Sequence, residues 1–139
     1  MPSVTVSTIP KGDDIDIYRG DTLSVDVQRL GNIAARTNLW FTVKDDKDDT
    51  DVNSQIQIDE NNGLLYIVGA VALIPANGSI TVTDAVTGAL TVALDEVETA
   101  KLTDLGTWFY DIQIVTATAV TTLVRGKATI VADATRATS

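Results

Sequence analysis

Residues 106–131 constrain this chain more than any other stretch. In Gly106-Thr107-Trp108-Phe109-Tyr110-Asp111-Ile112-Gln113-Ile114-Val115, the side chains of Trp108, Tyr110, Ile112 and Ile114 fall on one face. Asp111 and Gln113 fall on the other. A period of two in aromatic and β-branched residues is the pattern of a half-buried strand. Residues 120–131 read as a second strand, and Thr116-Ala117-Thr118-Ala119 is short enough to close the two into a hairpin. The apolar phase changes within the second strand: Leu123 is odd-numbered, whereas Ala128 and Ile130 are even. A β-bulge at Gly126 is expected to reset the register. The rest of the chain must then supply strands that pack on this hairpin.

It does so in short alternating pieces. Val4 and Val6, with Ile9, read as a first strand, and Ile15 and Ile17 as a second, separated by Pro10-Lys11-Gly12-Asp13. Tyr18-Arg19-Gly20-Asp21-Thr22 is a turn, and Leu23, Val25 and Val27 alternate with Ser24, Asp26 and Gln28. Residues 30–36 connect to a strand in which Leu39, Phe41 and Val43 oppose Trp40, Thr42 and Lys44. Trp40 opposite Phe41 predicts cover on both faces there. Ile56 and Ile58 lead into Glu60-Asn61-Asn62-Gly63, a strong turn signal. Residues 64–71 read as one apolar strand. Asn77-Gly78 and Thr87-Gly88 are turns flanking strands with Ile80 and Val82, then Leu90, Val92 and Leu94. Residues 95–102 alone have helical character, with acids first and Lys101 near the end, as a helix dipole prefers. The expected fold is an all-β sandwich with one short helical turn.

Length and charge set the outer limits. A chain of 139 residues predicts one domain. Residues 1–132 are read as that β-sandwich domain, and residues 133–139 as a polar C-terminal arm. A net charge of −9 argues against nucleic acid as partner, since no basic stripe displaces counterions. It argues equally against an anionic membrane surface. The apolar run at residues 64–75 is broken by Gly69 and too short to cross a bilayer. Without Cys or His there is no disulfide framework, thiolate metal site or imidazole base. The N-terminus does not read as a signal peptide, which points to the cytoplasm or something assembled there.

Several motifs invite a chemical reading beside a plainer one. In the acidic loop, Asp49, Asp51, Asn53, Gln55, Gln57 and Glu60 fall at the ligand positions of an EF-hand loop. Ser54 stands where the sharp turn needs glycine, and Gln55-Ile56-Gln57-Ile58 looks like strand. A solvated loop is therefore preferred, with Asp49, Asp51, Asn53 and Glu60 as weak metal candidates. Arg19-Gly20-Asp21 matches an adhesion tripeptide, but a tight turn is reason enough for Gly20. Asn77-Gly78-Ser79 fits a glycosylation pattern and reads as a turn. Carboxylates are plentiful, yet spacing nominates no catalytic pair. A serine or threonine with a lysine is the one remaining nucleophile–base option. An enzyme is not expected, and no cofactor is read. Trp40, Trp108, Phe109 and Tyr110 also invite a sugar-platform reading. Alternation instead assigns Trp108 and Tyr110 to the core and leaves Phe109 as the better contact residue.

Three segments in order carry a resemblance: Ile17-Tyr18-Arg19-Gly20-Asp21-Thr22-Leu23; Leu39-Trp40-Phe41-Thr42-Val43-Lys44 before an Asp-rich loop; and residues 106–114 with Arg125-Gly126-Lys127-Ala128-Thr129-Ile130. The chain resembles the N-terminal domain of phage baseplate upper proteins and their stand-alone phage relatives, over residues 15–131. The resemblance implies an immunoglobulin-like β-sandwich that attaches one virion component to another. It sets the expectation of a non-enzymatic bacteriophage virion structural protein, an adaptor at the tail or baseplate, assembled in the host cytoplasm. Its partners would be other virion proteins in symmetric multiple copies, docked through edge strands or terminal arms. The alternatives are a capsid decoration (cement) protein and, in another class, a calcium- or glycan-binding module. Residues 69–88 look longer than the family pattern and read as a protruding hairpin.

Overall fold

The computed structural model describes residues 4–6, 14–44, 54–102 and 105–132, with residues 4–6 described by backbone alone. The acidic loop at residues 45–51, the metal candidates Asp49, Asp51 and Asn53, and the expected arm at residues 133–139 lie outside them.

The described strands are β1 (Val4–Val6), β2 (Ile15–Tyr18), β3 (Leu23–Val27), β4 (Asn38–Lys44), β5 (Ile56–Asp59), β6 (Gly63–Ile67), β7 (Ala70–Val71), β8 (Gly78–Asp84), β9 (Ala89–Leu94), β10 (Gly106–Val115) and β11 (Val120–Val131). A 3₁₀ turn, Pro75–Asn77, precedes β8, and the short helix α1, Glu96–Thr99, follows β9. The strands form two sheets, ordered β1-β3-β9-β8 and β2-β11-β10-β4-β5-β6-β7. This is the strand order of a variable-type immunoglobulin sandwich, ABED on one side and GFCC′C″ on the other. The first strand is split between the sheets: β1 runs parallel to β3, and β2 runs parallel to β11.

Alternation decides what each strand buries. Leu23, Val25 and Val27 of one sheet and Leu39, Phe41, Val43, Trp108, Tyr110, Ile112 and Ile114 of the other belong to one buried cluster. The core assignment of Trp108 and Tyr110 holds, at 7% and 2% exposure. Cover on both faces is also found, centred on β4 and β5. Thr42, Gln57 and Asp59 point away from the core yet are buried.

Three readings need correction. Residues 64–71 are not one strand. Val68 and Gly69 have φ of 52° and 71°, which turns β6 back on β7 as a two-residue hairpin with two positive-φ positions. Residues 69–88 are not one protruding hairpin either. They supply β7, the 3₁₀ turn and β8, and so carry the chain from one sheet to the other. The bulge, finally, is not at Gly126. The register shifts where Ile112 faces Val124 and Gln113 faces Thr122, so the extra residue is Leu123. From Val124 onward the buried phase is unbroken through Ala128 and Ile130. Gly126 has a different reason. A Cβ there would lie 2.5 Å from Cε2 and 2.8 Å from Cζ of Tyr110. The phenol ring rests directly on the bare backbone. Its other neighbour is Phe41, ring centroids 6.0 Å apart and tilted by 34°. Antibody domains place a tryptophan of strand C against an inter-sheet disulfide in this region; this cysteine-free chain brings Phe41 of β4 and Tyr110 of β10 together.

Helix α1 ties the turns at one end together. Asp95 caps it, its carboxylate accepting from the Val97 N–H at 2.9 Å. The buried Thr99 hydroxyl donates to the Asp21 carbonyl at 2.7 Å and accepts from the Gly20 N–H at 3.1 Å. The Arg19-Gly20-Asp21 tripeptide is thus a turn held on a helix. Glu98 is fully buried and accepts from the Asn77 side-chain amide at 2.8 Å. The Lys101 ammonium lies 2.9 Å from its other oxygen, a charge contact that is poorly aligned as a hydrogen bond. Burial pushes the Glu98 carboxyl up, but Lys101 and Asn77 outweigh it and hold it below its ordinary value.

Two expected outcomes follow from this packing. Gly126→Ala should cost about 1–3 kcal/mol in denaturant titration, and the cost should largely vanish in a Tyr110→Ala background, where the clashing ring is gone. For Glu98, the folded carboxyl titrates below the unfolded one. Its contribution is therefore intact above about pH 4.3 and is lost as pH falls through the folded value. Glu98→Gln should lower stability at pH 7 by about 1 kcal/mol and flatten the acid limb of a stability–pH curve.

Candidate functional site

The outward face of β10 and its two neighbours carries the most distinctive surface chemistry among the described residues. Strand β10 lies between β4 and β11, and its register sets two rows of side chains across the sheet. In the first, Phe109 faces Lys44 on one side and Lys127 on the other. In the second, Asp111 faces Thr42 and Arg125. Phe109 is 43% exposed, and Arg125 and Lys127 are exposed as well. Two ion pairs lie elsewhere in the fold: Arg36 with Glu60, and Lys101 with Glu98. A domain of net charge −9 thus gathers three cations around a solvent-facing aromatic ring.

The surface is shallow. A cavity of about 70 Å³ lies between Phe109, Asp111, Thr42, Lys44 and Arg125, beside Gly126. That volume admits a few waters or the tip of a side chain, against ~300–1,000 Å³ for small-molecule pockets. Chemically, the face can pair acidic groups with its cations while an apolar group rests on Phe109. Aromatic residues and arginine are the types enriched at protein interfaces.

The sequence candidates are distributed differently. Glu60 spends both oxygens on Arg36, each at 2.7 Å, and Arg36 also donates to the Ile33 carbonyl at 3.2 Å. This fork fastens the β3–β4 connection to the β5–β6 turn. Gln57, at another EF-hand ligand position, is buried on β5, and its amide lies 3.5 Å from the Thr42 hydroxyl. No group of three acidic or otherwise metal-binding side chains forms among the described residues. Asn77, the glycosylation candidate, commits its amide to Glu98. Among the described residues, Phe109 is the singled-out aromatic that is exposed, between Lys44 and Lys127. Sequence reasoning missed Lys44, Arg125 and Lys127 as its companions. A bulge assigned to Gly126 continues the odd-numbered inward phase of Leu123 as far as Arg125. With the bulge at Leu123, Arg125 and Lys127 both face outward beside Phe109.

The strand order and core place this chain among immunoglobulin-like β-sandwich domains. No protein-family model matches its sequence, and no curated protein does.

Neighbouring aromatic residues on β10 should respond oppositely to truncation. Phe109→Ala should change unfolding free energy by no more than about 0.5 kcal/mol, as exposed positions do. Trp108→Ala should cost about 3–5 kcal/mol. Thermal or urea unfolding of the two variants checks this.

Proposed function

We propose that this chain is a non-enzymatic structural protein of a bacteriophage particle, an adaptor joining virion components at the tail or baseplate. The resemblance of three ordered segments to phage baseplate upper proteins supplies the biological setting. The observation that carries an adaptor role is the face around Phe109: exposed aromatic area framed by Lys44, Arg125 and Lys127 on an acidic domain. Such a face is too shallow to enclose a metabolite and suits a protein partner that presents acidic side chains. Complementary charge there would steer docking and fix its orientation.

Electron microscopy of purified particles carrying labelled protein tests the reading. Label at the tail or baseplate is the expected result. Label over the capsid lattice would transfer the protein to the decoration class. No label on the particle would overturn the structural reading and favour a calcium- or glycan-binding module. In particles that do incorporate the protein, Phe109→Ala combined with Arg125→Glu should reduce its occupancy while leaving the isolated fold intact.

A further inference from the structure

The face around Phe109 carries acids as well as cations, and the register puts them in a definite order. Strand β2 is the edge strand beside β11. Ile15 and Ile17 are buried, so Asp14 and Asp16 point to the outward face, and both are exposed. Ile15 pairs with Ala128, and the same register carried back one residue sets Asp14 beside Lys127. One row across the sheet, from β2 to β4, therefore runs Asp14, Lys127, Phe109, Lys44. The next row, from β11 to β4, runs Arg125, Asp111, Thr42. Neighbouring strands lie ~4.8 Å apart, so each row is a fixed sequence of charge and apolar area.

Each row is complementary to its own reverse. A second copy can face the first, turned about an axis that runs parallel to the strands between β10 and β11. Every row then meets the same row in the opposite order. Arg125 lies over Asp111 of the second copy, and Asp111 over its Arg125. Lys127 lies over the ring of Phe109, where a cation is attracted to the aromatic face. Asp14 lies over Lys44 at the flank. Asp111 already faces Arg125 within its own strand pair. The four charges at the centre therefore form a square in which each neighbour has the opposite sign, and such networks contribute more than isolated surface pairs. An axis across the strands at the height of Tyr110 would instead set Arg125 over Lys127 of the second copy, like against like. The charges thus favour one orientation over the other.

We propose that two copies of this chain pack face to face through the outward surface of β10 and β11, about a two-fold axis parallel to these strands. The inference rests on the docking role proposed for the face around Phe109, and it names the occupant. Charge complementarity selects a second copy. The face asks its partner for an acid opposite Arg125, a cation opposite Asp111, an aromatic ring opposite Lys127 and an acid opposite Lys44. The reversed face supplies all four at strand spacing. A uniformly acidic surface would set like charge against Asp111. Self-complementarity of this kind is what a two-fold interface requires. Phe109, 43% exposed, gives the contact apolar area near its centre.

Sedimentation velocity of the full chain tests it, over a concentration series reaching ~1 mM, the weak end of specific affinities. The expected result is a concentration-dependent dimer. Arg125→Asp and Asp111→Arg should each weaken self-association by about tenfold or more, with the unfolding midpoint showing that each variant is folded. Mixed in equal amounts, the two variants should dimerise with each other, because the acidic pair on one then faces the basic pair on the other. Should Asp111→Arg not fold, Arg125→Asp decides alone, since Arg125 is exposed. A chain that stays monomeric throughout would overturn the proposal and leave the face to a partner of another sequence. A dimer that survives Arg125→Asp, or two folded variants that ignore each other when mixed, would overturn it by placing the contact elsewhere. Labelled particles answer a separate question: a monomer leaves the virion reading standing, and absence of label leaves the dimer standing.

Discussion

The contact of the Tyr110 ring with the bare backbone of Gly126 is the constraint on which the sandwich is built. Tyr110 lies on β10, the strand that holds β4 on one side and β11 on the other. Its ring needs the space a side chain on Gly126 would occupy, and it packs against Phe41 across the adjacent strand. This aromatic pair supplies bulk at the centre of a domain that has no cysteine to bridge its sheets. The bulge at Leu123 makes the contact possible. It brings Gly126 rather than a larger residue onto the inner face opposite Tyr110, and it turns Arg125 and Lys127 outward.

The same register therefore determines core and surface together. Inward, it aligns Tyr110 with Gly126 and Trp108 with Ala128, a large residue against a small one in each pair. Outward, it aligns Phe109 with Lys127 and Asp111 with Arg125. The end of the sandwich that carries the β3–β4 connection is held by polar groups instead. Asp59 is 2% exposed and accepts from the amides of Asn38 and Asn62, and Arg36 clamps Glu60 nearby. A buried carboxylate supplied with donors is stable, whereas an unpaired one is costly. The turn signal Glu60-Asn61-Asn62-Gly63 is consequently a structural knot, with Glu60 held by the Arg36 guanidinium.

The face around Phe109 gathers Lys44, Arg125 and Lys127 on a chain of net charge −9, so a contact that paired acidic groups with these cations would weaken as salt is raised.

Most strand positions, the hairpin at residues 106–131, the short helical turn and the core roles of Trp108 and Tyr110 were legible from period-two alternation, turn chemistry and the order of charges. These are local properties, governed by side-chain direction and by the conformations that glycine, proline and aspartate favour. Alternation in residues 64–71 could not reveal a hairpin, because Val68 gives no turn signal. The bulge escaped for a related reason: sequence parity shows that a phase changes but not where, and only the fit of Tyr110 on Gly126 locates it. The cation cluster around Phe109 followed from that register and was hidden with it. Composition by itself determined an acidic, cysteine-free chain of short strands. Tertiary structure alone decided which cations meet Phe109, since cross-strand neighbours are set by packing between residues far apart in the chain.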